Sequence, residues 1–227
     1  MMYLWMILIA ALSTAIAYIS LNTELALRIP VFSRGRRENM TDEIVVGKRP
    51  ALAGAVLLGL LSGLCMWRIL TGTGELLNVL KMTLALLCVV GSGCMDLREK
   101  RIPNLFPLTL AVGGVLFLAL GFITGQNGIQ AYVVSSVMAT AGCAVAMLVI
   151  MLLTHGGVGA GDIKLLCALA LAGGVQIVCG TVAFGVTACA LTAVVLLIAK
   201  KKNLQSSLPF APFMLIGFMV SVFLNIY

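Results

Sequence analysis

The chain has 227 residues, of which 61% are hydrophobic and only 10% charged, and its mean hydropathy is +1.13. A water-soluble domain of this composition would present a mostly apolar surface, so a soluble fold is excluded and an all-α, polytopic membrane helical bundle is expected. The formal charge of +7 does not point to nucleic acid, because the basic residues fall in the gaps between apolar runs, where they orient spans in a lipid bilayer.

With roughly 20 residues needed per span, the elements can be laid out in chain order. The first run, "MYLWMILIAALSTAIAYIS", has no basic stretch before it and no small-residue cleavage site, so a retained span is expected at about residues 2 to 20. Residues 21–50 form a cytoplasmic linker too short to fold alone, in which Glu24, Glu38, Asp42 and Glu43 read as solvated charges among arginines. Further spans are expected at about 51 to 71, 77 to 95, 105 to 124 and 131 to 154. Residues 163 to 198 are too many for one span, and "LAGGVQ" at 171 to 176 interrupts them, which predicts a short or broken helix followed by a full one. A last span at about 208 to 226 brings the total to about eight, in a single integral membrane domain over residues 1–227.

The linker at 21–50 carries Arg28, Arg34, Arg36, Arg37, Lys48 and Arg49, and residues 96 to 104 carry Arg98, Lys100 and Arg101. Together with Lys164 and Lys200 to Lys202 they make 13 of the 15 basic residues, all on one side of the alternating layout. That side is read as the cytoplasm, with both termini outward. Seven cysteines (65, 88, 94, 143, 167, 179 and 189) lie in apolar runs with no CxxC, so they read as small buried hydrophobes. No His/Cys/carboxylate cluster has a ligand spacing, so no metal and no cofactor are expected.

Only three Asp and five Glu are present. Glu75 falls in a short outer loop and reads as solvated, but Asp96 and Asp162 each stand where an apolar span meets the cytoplasmic boundary, beside small residues. Asp96 follows "GSGCM" and Asp162 completes "GAGD". The hairpin of spans four and five leaves the cytoplasm after Pro103 and returns before His155, so both carboxylates are placed at one membrane face. Asp96 can be a helix-end charge paired with Arg98 or Lys100, and Asp162 an N-cap. Ionisable groups at a membrane are nevertheless costly and often mark function. Two carboxylates sharing a site cannot both ionise readily, so one keeps a proton while the other acts as a base toward water. Glycines at 156, 157, 159 and 161 would let a peptide backbone come close. They are not a phosphate loop, because GxxxxGK[ST] is absent and no strand precedes them. His155, the only histidine, reads as an interfacial residue.

"GAGDIKLL" at 159–166 together with "DLREKRIPN" at 96–104 resembles the prepilin peptidases, membrane aspartyl proteases of the GxGD type. "LPFAPF" at 208–213 is similar to the proline-rich C-terminal segment of that family, with Ala211 where Gly is usual. The resemblance covers about residues 80 to 227. It implies cleavage of type IV prepilin-like precursors (pilin, pseudopilin or Flp-type) between a short basic leader and a hydrophobic helix, at the cytoplasmic face of the bacterial cytoplasmic (inner) membrane. It also implies Asp96 and Asp162 as the catalytic pair, with Gly159, Gly161, Lys164, Pro103 and Asn104 in the active-site loops. Larger relatives carry a zinc-binding CxxC domain and methylate the new N-terminus. This chain has no such motifs, so peptidase activity without methyltransferase is expected. Presenilin-like proteases, which also carry GxGD, pair it with Tyr-Asp and a later Pro-Ala-Leu; here Met95 precedes Asp96, and "PAL" at 50–52 lies on the wrong side. The competing class is a non-enzymatic membrane protein, either a small proton-coupled transporter or an assembly subunit of a secretion or pilus system.

Overall fold

The computed structural model describes residues 7–16, 48–72, 76–99, 101–125, 128–153, 159–198 and 209–224. Their helices are α1 (Ile7–Ile16), α2 (Lys48–Gly72), α3 (Leu76–Glu99), α4 (Leu105–Ile123), α5 (Ile129–Leu153), α6 (Ala160–Ile198) and α7 (Ala211–Phe223), with no strand among the described residues. Four stretches are long and apolar enough to cross a bilayer: Leu76–Leu97, Leu105–Ile123, Ile129–Leu153 and Ala160–Val195. The apolar stretches Ile7–Ile16, Val56–Thr71 and Ala211–Phe223 are shorter among the described residues. The all-α membrane class therefore holds, with four stretches of spanning length among the described residues against the eight spans expected. Residues 21–47, Glu75, Lys100, His155, Gly156, Gly157 and Lys200 to Lys202 lie outside the described residues.

Helix α6 carries the interruption expected at 171–176. A continuous run of its 39 residues would extend about 58 Å, nearly twice the apolar thickness of a bilayer. Gly174 breaks it with φ 75° and ψ −174°, a backbone region essentially closed to residues with a Cβ. The result is a short helix, roughly 21 Å long, followed by one long enough to span.

Breaking a helix in lipid strips backbone groups of their partners, and α5 supplies one replacement. The Tyr132 hydroxyl donates to the Ala172 carbonyl at 2.6 Å. Lys81 of α3, only 7% exposed, lies with its Nζ 4.0 Å above the Tyr132 ring centroid and donates to Asn78 Oδ1 at 3.0 Å. A cation over an aromatic face is worth most when water is excluded, so this cluster ties α3, α5 and the break of α6 together. Tyr132→Phe keeps the ring and removes the O–H. It is expected to lower stability by about 1 kcal/mol, read as an earlier thermal unfolding transition in detergent micelles; an unchanged transition would show that Ala172 needs no such donor.

Helices α3 and α6 form the centre of the bundle, with 61% of each apolar window buried against 22% for α4 and 17% for α5. Leu86 and Val89 of α3, Leu165, Leu166 and Leu169 of α6, and Met214 and Phe218 of α7 fill the interior. Close approach does as much as bulk here. A Cβ on Gly217 of α7 would overlap the Thr181 carbonyl of α6, as expected where packing in lipid relies on small residues. The same device joins α1 to α2, where Gly59 and Gly63 face Ala10 and the Ser13 and Ser62 hydroxyls are hydrogen-bonded. With these contacts made, the C-terminal end of α3, the loop at 101–104 and the N-terminal ends of α6 and α7 gather at one end of the bundle.

Candidate active site

Asp96 lies within its helix, in the last turn. The expected span stops at 95, but α3 runs on to Glu99, and Asp96 is only 6% exposed. A carboxylate there needs donors. The Ala211 N–H donates to its Oδ2 at 3.0 Å, and the Phe210 N–H is also directed at the carboxyl group. These are the opening amides of α7, whose N-cap Phe210 offers no side-chain cap. The remaining donors of that first turn are accounted for as well: Pro212 has none, and the N–H groups of Phe213 and Met214 donate to the Phe210 carbonyl at 3.0 and 3.1 Å. Asp96 thus caps α7 from another helix, which is the structural use of "LPFAPF".

Asp162 is placed in the first turn of α6, three residues after Gly159, and is half-buried. It is not the N-cap that its position before an apolar run suggests. Its carboxylate reaches back to the Gly159 N–H, while the N–H groups of Asp162 and Ile163 donate to the Gly159 carbonyl at 3.1 and 3.3 Å. This is half of a capping box: the third-position carboxylate accepts the N-cap amide, and with glycine at the N-cap no side chain returns the bond. It fixes one oxygen. The other, Oδ1, is buried and has no hydrogen-bond partner among the described residues.

The two carboxyl groups, 66 residues apart in sequence, lie close enough for the Asp96 charge to act on Asp162. Gly161 makes this possible from the α6 side. A Cβ built there would come 2.9 Å from Ile102 Cβ, closer than carbon atoms tolerate. Gly91 acts likewise on α3, more than a turn before Asp96, since a Cβ on it would overlap the Phe106 ring at the start of α4.

The other expected site residues divide. Lys164 Nζ donates to Asn104 Oδ1 at 3.1 Å, joining the two motif segments directly, and Pro103 lies half-buried in the loop between them. Two residues along a helix point to nearly opposite sides, so Lys164 faces away from the carboxyl pair. It and Asn104 stand at a separate groove of about 430 Å³, lined by Pro107, Leu108 and Ala111 of α4, Thr140 of α5, and Cys167, Ala168 and Leu171 of α6. The amides of Phe210 and Ala211 and the side chain of Ile102 are the components that residue types did not disclose. Lys81 did leave a signal, as a lysine inside the apolar run 77 to 95. Among the described residues, no group of three or more His, Cys, Asp or Glu is placed to hold a metal ion.

The chain was compared with known proteins on this basis. The model of the type IV leader peptidase family matches residues 82–198, from the second turn of α3 to the end of α6, and this segment contains both carboxylates. No curated protein and no solved structure gives a significant match.

Proposed function

The chain belongs to the type IV leader peptidase family, and from that premise we propose that it is a membrane aspartyl endopeptidase that removes the basic leader from prepilin-like precursors, using Asp96 and Asp162 as its catalytic pair. The family makes it a peptidase, and its apolar helices make it an integral membrane protein. The observation that supports the aspartyl mechanism is the nearness of the two carboxyl groups, one from each motif segment, with the Asp96 charge acting on Asp162.

In this reading one carboxylate takes a proton from water, whose oxygen bonds to the scissile carbonyl carbon, while the protonated partner gives its proton to the carbonyl oxygen. The tetrahedral adduct then collapses. Its C–N bond breaks as the first carboxyl group passes its proton to the leaving amine, and the second recovers a proton from the hydroxyl. The precursor's apolar helix stays in lipid and its basic leader lies at the cytoplasmic face, and the positive-inside pattern supports the same side for the carboxylate end of the bundle. No metal enters this chemistry, and the new N-terminus leaves without a methyl group.

Co-expression with precursors that join a basic leader to a hydrophobic helix tests the proposal. The expected result is a product shortened by the leader, formed equally in the presence of EDTA, and with an unmethylated N-terminus by mass spectrometry even when S-adenosylmethionine is supplied. Cleavage lost in EDTA and restored by zinc would refute the metal-free mechanism, and a gain of about 14 Da, the mass of one methylene, would reveal a second activity.

A further inference from the structure

We infer that the backbone amides of Phe210 and Ala211 are positioning groups that make Asp96, and not Asp162, the base of the pair. The inference rests on the aspartyl mechanism proposed above and adds a division of labour to it. Both carboxyl groups stand beside a helix N-terminus, so helix dipoles do not separate them. The donors do. Asp96 receives the Ala211 N–H at 3.0 Å and has the Phe210 N–H directed at it as well. Both amides belong to a helix packed against α3 and α6, so they hold Asp96 from outside its own helix. Asp162 has one amide, from Gly159 on its own turn, and its Oδ1 is buried with no partner among the described residues.

Amide donors favour the ionised form of the carboxylate that accepts them. Negative charge therefore belongs on Asp96 and the shared proton on Asp162. With Oδ2 engaged by α7, the remaining oxygen of Asp96 is the one that takes the proton from water. Asp162 then delivers its proton to the scissile carbonyl oxygen and recovers one as the adduct collapses. The N-terminus of α7 thus belongs to the catalytic apparatus, although its side chains perform no chemistry.

The test replaces a single amide by an ester. Substituting Ala211 by its α-hydroxy acid during translation removes the N–H that meets Asp96 and leaves every side chain in place. The same change at Met214 removes its N–H donation to the Phe210 carbonyl and serves as the control for weakening that turn. In the full chain, reconstituted with a cleavable precursor, the 211 ester should lower kcat about 10- to 100-fold, the value of one hydrogen bond to a charged group. KM and the response to the 214 ester should stay near those of the unmodified protein. A 211 ester that retains kcat, or equal losses from the two esters, would overturn the inference while leaving the aspartyl mechanism intact. Substantial cleavage by Asp96→Asn would instead remove the mechanism on which the inference stands.

Discussion

Asp96→Asn and Asp162→Asn, each inserted in the membrane at the level of the unmodified chain, should both lose cleavage by about 10³-fold or more, and the double variant should be scarcely worse. Asparagine matches aspartate in size, so packing around α3 and the first turn of α6 is kept and only the titratable proton is lost. A pair that shares one proton works as a unit, and removing either member removes the unit. Additive losses would mean two independent charges. The Asn variants also differ locally. At 96 the Ala211 and Phe210 amides still find a carbonyl oxygen to donate to, so α7 should remain docked and the melting transition should move little. Precursor accumulation on a mobility-shift gel, read beside the amount of inserted enzyme, checks the prediction. Substantial residual cleavage by either single variant would send the search for the mechanism elsewhere.

Gly161→Ala should reduce cleavage by about 10²-fold, since a displacement of order 1 Å in a reacting group has that cost. The added methyl would stand 2.9 Å from Ile102 Cβ, and neither atom can rotate away, because both are fixed directly to backbone. Relief has to come from moving the first turn of α6 off the 101–104 loop, and Asp162 moves with that turn. The prediction has its own rescue. Ile102→Gly removes the opposing Cβ, so the double variant Gly161→Ala/Ile102→Gly should recover much of the lost kcat. Failure of the rescue, or an active Gly161→Ala enzyme, would show that Gly161 is not there for close approach.

Much of this arrangement was legible in the residues. Apolar runs located the helices, and the "LAGGVQ" interruption falls where Gly174 breaks α6, because a helix longer than a bilayer must stop and only glycine accepts that backbone. The two aspartates could be singled out because charge is so scarce in this chain. What stayed hidden was carried by backbone. Nothing in the letters of "LPFAPF" says that its amides are spent on Asp96, since a hydrogen bond from N–H leaves no trace in residue type. Helix ends were also misplaced where apolar patterning fades before the hydrogen-bond ladder does, and so α3 extends through Asp96 to Glu99. Lys164 and Asn104 were expected in the active-site loops, and their contact with each other was not foreseen. The helical phase of residue 164 relative to 162 turns that side chain toward α4, where it meets Asn104.

The break at Gly174 also decides which changes in length the protein can accept. An α-helix turns by about 100° per residue, so one residue inserted in an unbroken α6 would swing everything on its far side out of alignment. With the phase reset at Gly174, the halves keep separate registers. Thr181 and Gly185 are fixed against α7, so residues can be gained or lost beyond 185, to suit a thicker or thinner bilayer, without disturbing the helix whose amides hold Asp96. Between 162 and 174 there is no such freedom, since Tyr132 grips Ala172 at one end and Gly159 holds Asp162 at the other. The short half of α6 is a spacer of fixed length, and only the end of the long half, past its contacts with α7, is free to follow the membrane.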